Sequence, residues 1–258
     1  MARIKRLSDD AFTDIASRYP FNRATLAKDY YATVTLYLLK DIDGLHFKGG
    51  TALQKIFLNY ARLSEDVDYT VTGNLEEVKE EITRIVTDSG LFESVTLAKD
   101  VDGFSRLVLH YTNFDGMKDV VFIDLNRRAK LLKQPEIHAI PHFYGEEIPP
   151  FSVSTLAAQE LCAEKLAATI GRNKPRDHFD VYMIIKKGLR LDYAIAEKKC
   201  RDAGDAFDLE RLFNKAKQLH NRWDDDMVPL LAEEIGYQEV IQTLAKHFDL
   251  KRMKGERT

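Results

Sequence analysis

The sequence predicts an α+β chain: a mixed sheet flanked by helices, followed by a helical C-terminal half. Three observations carry this. Two alternating apolar stretches, Phe104 to Thr112 and Asp119 to Asn126, meet across an Asp115-Gly116 turn signal and read as an antiparallel hairpin. Pro135, Pro141, Pro149 and Pro150 mark residues 129 to 152 as an extended connector. Beyond it, apolar residues recur at helical spacing almost to the end. The expected domains are residues 1–150 and 151–258.

At 258 residues the chain can bury a substantial core, as one domain or two. Hydrophobic residues at 45% and charged residues at 31% fit a soluble globular protein and exclude global disorder. Lys and Arg number 38 against 41 Asp and Glu, a net charge of −3, so the whole-molecule charge does not announce a nucleic-acid partner. A local basic face remains compatible with one. The two cysteines, Cys162 and Cys200, have no metal-ligand spacing and read as small buried thiols. The opening MARIKRLSDD is followed by no apolar h-region, and Ala32 to Leu39 is too short to span a bilayer. A reduced cytoplasmic location without membrane contact is expected.

Residues 8–40 read as helix, capped by Ser8 and interrupted at Pro20, with Leu26, Tyr30, Val34 and Leu38 as a buried stripe. Gly49 and Gly50 then open a second helical pattern through Thr51, Leu53, Ile56, Phe57 and Tyr60. Glycines at a helix start let the backbone approach a ligand, and the free N–H groups there suit an anion. A plain tight turn has the same signature. Arg62 to Tyr69 reads as a strand with Ser64, Asp66 and Asp68 on one face and Val67 and Tyr69 on the other. Two carboxylates held together call for cations between them. A solvent-facing acidic strand is the alternative.

Asn74 and Glu77 form a capping-box pattern for a helix with Leu75, Val78, Ile82 and Ile85 inward and Gly90 as its stop. In the hairpin, Leu107, Leu109 and Tyr111 share a face, as do Val121, Ile123 and Leu125, leaving Asp124 on the opposite side. His138 and His142 lie in the connector without other ligand types and read as loop histidines rather than a zinc site. Ser154 or Thr155 is expected to cap a helix to Arg172 carrying Lys165, Thr169 and Arg172 on one face. A second helix opens near Pro175 with Asp177 and Asp180 on a shared face, where a first-turn acid also suits the helix dipole. Further helices are expected over 192–203, 207–221 and 226–248, with Trp223 as an anchor and a frayed basic tail, KRMKGERT.

FKGGTAL, RLSEDVDY and the late EKLAATIGRNKPRDHFDVYMI, in this order over residues 45–190, resemble the AbiEii/AbiGii toxin family of nucleotidyltransferases, within the DNA polymerase β-like superfamily. The resemblance implies a polymerase β-like core followed by a helical domain. It implies nucleotidyl transfer from an NTP, with two Mg²⁺ ions (or Mn²⁺) held by Asp66, Asp68 and Asp124. Asp124 would also take the proton of the attacking hydroxyl. Gly49, Gly50, Thr51 and Ser64 would bind nucleotide, Lys165 would reach the triphosphate, and Arg172, Asp177 and Asp180 would complete the site. An RNA acceptor such as tRNA and a cognate antitoxin are the implied partners, with Arg127, Arg128, Lys130, Lys133, Arg172, Lys174 and Arg176 as an RNA path. Two other readings stay open: a catalytically silent nucleotide- or partner-binding module, and a metal-dependent nuclease using the same aspartates.

Overall fold

The computed structural model describes residues 4–249, so the basic tail lies outside the described residues. The chain divides into two units, one ending at Ala157 and the other beginning at Ala158.

The first unit is built on a seven-stranded mixed sheet in the order β3-β4-β5-β2-β1-β7-β6. The strands are β1 (Leu45–Lys48), β2 (Val67–Val71), β3 (Ser94–Val101), β4 (Phe104–Thr112), β5 (Lys118–Asn126), β6 (Glu136–Ala139) and β7 (Ser152–Thr155). The predicted hairpin is β4–β5, closed by Asn113, whose side-chain oxygen accepts from the N–H groups of Asp115 and Met117. β2 joins β5 in parallel and β1 antiparallel, which brings the GGT segment, the acidic segment and Asp124 together at the middle of the sheet. Val67, Tyr69, Leu107, Leu109, Val121, Ile123 and Leu125 are buried on one face.

That face is covered by helix. Ser8 and Asn22 cap α1 (Asp9–Arg18) and α2 (Arg23–Leu39), the break falling around Pro20. α2 is buried nearly all round, which an amphipathic stripe alone does not anticipate. It packs on β2 and β5, with Tyr31 stacked on Tyr111 at 3.7 Å between ring centroids. α4 (Leu75–Ser89), capped by Asn74 and stopped at Gly90 as expected, packs beside it and against β3.

Four sequence expectations for the first unit change. The 62–69 strand begins only at Val67, so Ser64 and Asp66 lie in the approach to it. The helix after Gly49 is one α-turn, α3 (Gly49–Ala52), which widens into a π-turn over Leu53–Phe57; the Leu58 N–H bonds Leu53 O, and Asn59 and Tyr60 follow at positive φ. The connector is not loop throughout: β6 and β7 pair within it, and β7 adds to β1, which is why Ser154 and Thr155 belong to a strand and not to a helix cap. β3 went unanticipated because its Lys- and Asp-bearing residues are mostly exposed on both faces and show no clean alternation.

The second unit is helical: α5 (Ala158–Arg172), α6 (Pro175–Lys186), α7 (Tyr193–Asp202), α8 (Ala216–Met227) and α9 (Tyr237–His247). The expected 207–221 and 226–248 helices resolve into short 3₁₀ turns plus α8 and α9, with Trp223 inside α8. α5 packs on α6 and α7, and α6 on α8 and α9. Trp223 is buried and donates its indole N–H to Ile235 O at 2.9 Å. Buried Lys199 bridges Glu160 and Glu164 of α5 at 2.6 and 3.0 Å. Cys162 and Cys200 are free and buried.

An ion pair at the heart of the first unit was not anticipated. The π-turn carries Lys55, whose ammonium meets Asp29 of α2 at 2.6 Å with both side chains almost fully buried. Thr33 and Tyr60 hydroxyls lie 2.9 and 3.1 Å from the same Nζ, and the Tyr144 hydroxyl 3.1 Å from Asp29 Oδ2. Burial pushes the Lys55 ammonium down, while Asp29 beside it opposes the shift. Removing one partner leaves the other charge stranded, which costs about 3–5 kcal/mol. In urea denaturation Asp29→Ala is expected to lose that much, and the pair Asp29→Leu with Lys55→Met less than either single change. A double variant as unstable as the sum of its singles contradicts this account.

Candidate active site

The acidic centre is fixed by register. Asp68 and Asp124 are directly opposed in the parallel β2–β5 pair, so their side chains emerge side by side on the face away from α2. Across the same line of the sheet, Lys48 of β1 opposes Asp68, Arg106 of β4 opposes Asp124, and Lys99 of β3 opposes Arg106. The row reads Lys-Asp-Asp-Arg-Lys: two adjacent acids flanked by cations. On β2 and β5 the apolar neighbours of the two acids, Val67, Tyr69, Ile123 and Leu125, hold the opposite face in the core, and this alternation fixes which face the acids take.

The glycine turn is shaped around this row. Gly49 has φ 78°, and a Cβ there would lie 2.2 Å from Asp68 Oδ2 and 2.9 Å from its Cγ. The Asp68 carboxylate therefore rests against a bare Cα, and a side chain at position 49 would be strained and would push Asp68 aside. The next residues tie the approach loop down. The Thr51 hydroxyl donates to Asp66 O, Gln54 Oε1 accepts from the Arg62 N–H at 3.2 Å, and the Arg62 guanidinium bonds Leu63 O at 2.8 Å. Glu65 is held from outside by Lys28 of α2 at 3.1 Å, and Lys28 also reaches Asp119 at 3.6 Å. Ser64 is buried in this loop. Thus Asp66 stands just outside β2 but on a segment anchored at several points.

Asp124 is engaged. Arg106 Nε and Nη2 donate to its Oδ1 and Oδ2, each at 2.6 Å, a fork-to-carboxylate pair. Hydrogen bonding to Asp124 raises the guanidinium's pKa, and Asp66 and Asp68 add to it through their charge. Arg106 was missed in the sequence. Its only signal there is position: a basic residue on the hairpin, on the face opposite Leu107.

These three aspartates offer oxygen donors only, the set that suits hard divalent cations such as Mg²⁺ rather than zinc. The opposition of Asp68 and Asp124 across the β2–β5 pair fits such an ion, and an isolated pair of neighbouring carboxylates is costly without positive charge. Among the described residues, however, no three His, Cys, Asp or Glu side chains already stand close enough together to hold a metal. Asp124 faces Arg106 instead. His138 pairs with Glu136 at 2.8 Å, and His142 accepts from the Tyr144 N–H.

The other expected residues lie in the second unit and form a cluster of their own. Buried Lys165 meets Asp177 at 3.0 Å and Asp180 at 2.8 Å, and Arg172 reaches Asp177 at 3.2 Å. The three-residue spacing that sets Asp177 and Asp180 on one face of α6 thus serves the α5 lysine. Of the expected RNA-path residues, Arg128 donates to Asp102 O in the first unit, while Arg172, Lys174 and Arg176 belong to the second.

A family model described as "Nucleotidyl transferase AbiEii toxin, Type IV TA system" matches residues 36–246. No curated protein matches the chain. Among solved structures, MenT4, a nucleotidyltransferase toxin from Mycobacterium tuberculosis H37Rv, superposes with a TM-score of 0.67 at 20% identity, over 94% of this chain and 89% of that one. JHP933 from Helicobacter pylori superposes with a TM-score of 0.57 at 18% identity, over 92% and 95%. These likenesses carry the fold.

Gly49→Ala is expected to incur the left-handed penalty, about 1–2 kcal/mol, plus the displacement of Asp68. Gly90→Ala, also at positive φ but with open space around it, is expected to incur only the first. Urea denaturation of the two variants checks the difference; equal losses contradict the packing of Asp68 on Gly49.

Proposed function

The chain belongs to the AbiEii nucleotidyl transferase toxin family of type IV toxin–antitoxin systems, and on that footing we propose that it moves an NMP from an NTP to the end of an RNA such as tRNA. The observation that carries this is the side-by-side placement of Asp68 and Asp124 beside a left-handed glycine against which the Asp68 carboxylate packs. In the reaction, a hydroxyl oxygen of the acceptor bonds the α-phosphorus, the bond to the outgoing pyrophosphate breaks, and the hydroxyl proton is released. Charge grows on phosphate oxygens, so positioning and electrostatics supply most of the acceleration.

Asp66, Asp68 and Asp124 are the residues that would hold Mg²⁺, two ions in the fullest version of the site. Such ions, when bound, neutralise phosphate charge and lower the pKa of an attacking oxygen. Gly49, Gly50 and Thr51 bind the β- and γ-phosphates through backbone N–H groups, and buried Ser64 lies on the same anchored loop. Asp124, directly opposite Asp68 in the parallel pair, is assigned to the acidic centre and to taking the proton of the attacking hydroxyl. In the second unit, Lys165, Arg172, Asp177 and Asp180 are assigned to nucleotide binding on the strength of the resemblance. Buried free thiols accord with action in a reducing cytoplasm. Among the described residues no helix is long and apolar enough to cross a membrane.

The test is incubation with Mg²⁺, total RNA and each NTP labelled at the α-phosphate. Label is expected on RNA, and Asp66→Asn or Asp68→Asn is expected to lower its rate by at least about 100-fold, the scale of removing a preorganised electrostatic group. Lys165→Ala, measured alongside, tests the second-unit assignment through KM for NTP. RNA shortened without label points to a nuclease, and nucleotide binding without turnover to a silent module.

A further inference from the structure

The chemistry above leaves Arg106 without a task. We propose that its guanidinium is a built-in countercation for the acidic centre, one that a divalent cation must displace from Asp124, so that Arg106 sets the site's affinity for metal. The inference rests on the metal-site reading of Asp66, Asp68 and Asp124 and adds the group that opposes loading.

Several observations converge on it. Both oxygens of Asp124 are taken by the fork of Arg106 at 2.6 Å. The pairing is not a chance surface contact, because the β4–β5 register places the two residues directly opposite each other. The guanidinium carbon also lies 5.2 Å from the centroid of the Phe122 ring, which steadies the fork. Asp68 lies directly opposite Asp124 in the same row, so the guanidinium's charge also acts on the neighbouring acid. A guanidinium cannot shed its proton at any ordinary pH, so it cannot neutralise itself to make room for a second cation. It must move. Its side chain is 39% exposed while that of Asp124 is 15% exposed, so the arginine has open space to swing into and the aspartate stays in place. Two cations sharing one carboxylate repel at these distances, which makes their occupancy competitive.

Arg106 is accordingly a positioning residue. In the metal-free protein it keeps the acidic row together, and on loading it yields Asp124. By linkage the effect is reciprocal: whatever Arg106 subtracts from metal affinity, metal subtracts from the Arg106–Asp124 bond.

The experiment titrates the purified full chain, without nucleotide, with Mn²⁺, following the loss of the free-ion electron paramagnetic resonance signal. Arg106→Met keeps the stem on Phe122 and removes the charge. It is expected to tighten Mn²⁺ binding about 5- to 30-fold, within the usual range of such couplings. Arg106→Lys, which keeps the charge but not the fork, is expected to tighten it less. A residue that merely braces the fold would give the opposite sign. In the wild-type chain, saturating Mg²⁺ is expected to shift the NMR signal of the Arg106 side-chain Nε–H. The Asp66→Asn, Asp68→Asn double variant is expected to bind no Mn²⁺ at the site. If that variant abolishes binding while Arg106→Met, shown folded by its melting curve, binds Mn²⁺ no more tightly than wild type, the countercation role is overturned and the metal site stands. If wild type shows no Mn²⁺ binding that depends on Asp66 and Asp68, the metal-site reading fails and this inference with it. Should Arg106→Met not fold, Arg106→Lys decides: affinity equal to or weaker than wild type overturns the proposal.

Discussion

The contact between the Asp68 carboxylate and the bare Cα of Gly49 is the constraint around which the first unit is arranged. It demands a left-handed residue with no side chain where β1 ends, and it demands that β2 run antiparallel beside β1. With that pairing set, the chain between them must reverse direction in eighteen residues, from Gly49 to Asp66 inclusive. It does so through one α-turn and a π-turn that ends in two consecutive left-handed residues, Asn59 and Tyr60. Such a path is strained and persists only where surrounding structure over-determines it. The buried Asp29–Lys55 pair, with Thr33, Tyr60 and Tyr144 around it, supplies that determination from α2.

Charge is handled in opposite ways at two depths. Inside the unit, Lys55 and Asp29 are sealed together and satisfied by hydroxyls, an arrangement that favours one conformation more than it adds stability. On the open face, the Asp68–Asp124 pair is flanked by Lys48, Arg106 and Lys99, with enough exposure for the cations to rearrange. The first arrangement holds the loop still, and the second keeps the acidic row exchangeable. A nucleotidyltransferase needs both, since its catalysis depends on positioned groups meeting a highly charged substrate.

Much of this was legible in the sequence. The hairpin, the Asn74 and Ser8 caps, the Gly90 stop and the inward faces of β4 and β5 follow from local pattern and are present. The acids Asp66, Asp68 and Asp124 were singled out, but their juxtaposition was not derivable. Parallel pairing of β2 with β5 is a long-range choice that no local signal encodes, and a single residue's slip would have turned Asp124 into the core. Arg106, Asp29 and Lys55 carry no local signal for the same reason. A charged residue in an otherwise apolar stretch looks like surface until its partner, 18 or 26 positions away, is known. β3 lacked alternation because an exposed edge strand has no buried face to record. The helix from Gly49 was overextended because a π-turn keeps nearly the same apolar spacing while changing where the helix ends.

The central claim is that Asp66, Asp68 and Asp124 form one cation site at the glycine turn. Anomalous diffraction from crystals grown with Mn²⁺ and a non-hydrolysable NTP analogue tests it most directly. Manganese is expected at the carboxylates of Asp68 and Asp124, with the phosphates of the analogue at Gly49 to Thr51. Manganese and phosphates bound elsewhere, with Arg106 still on Asp124, would contradict the account.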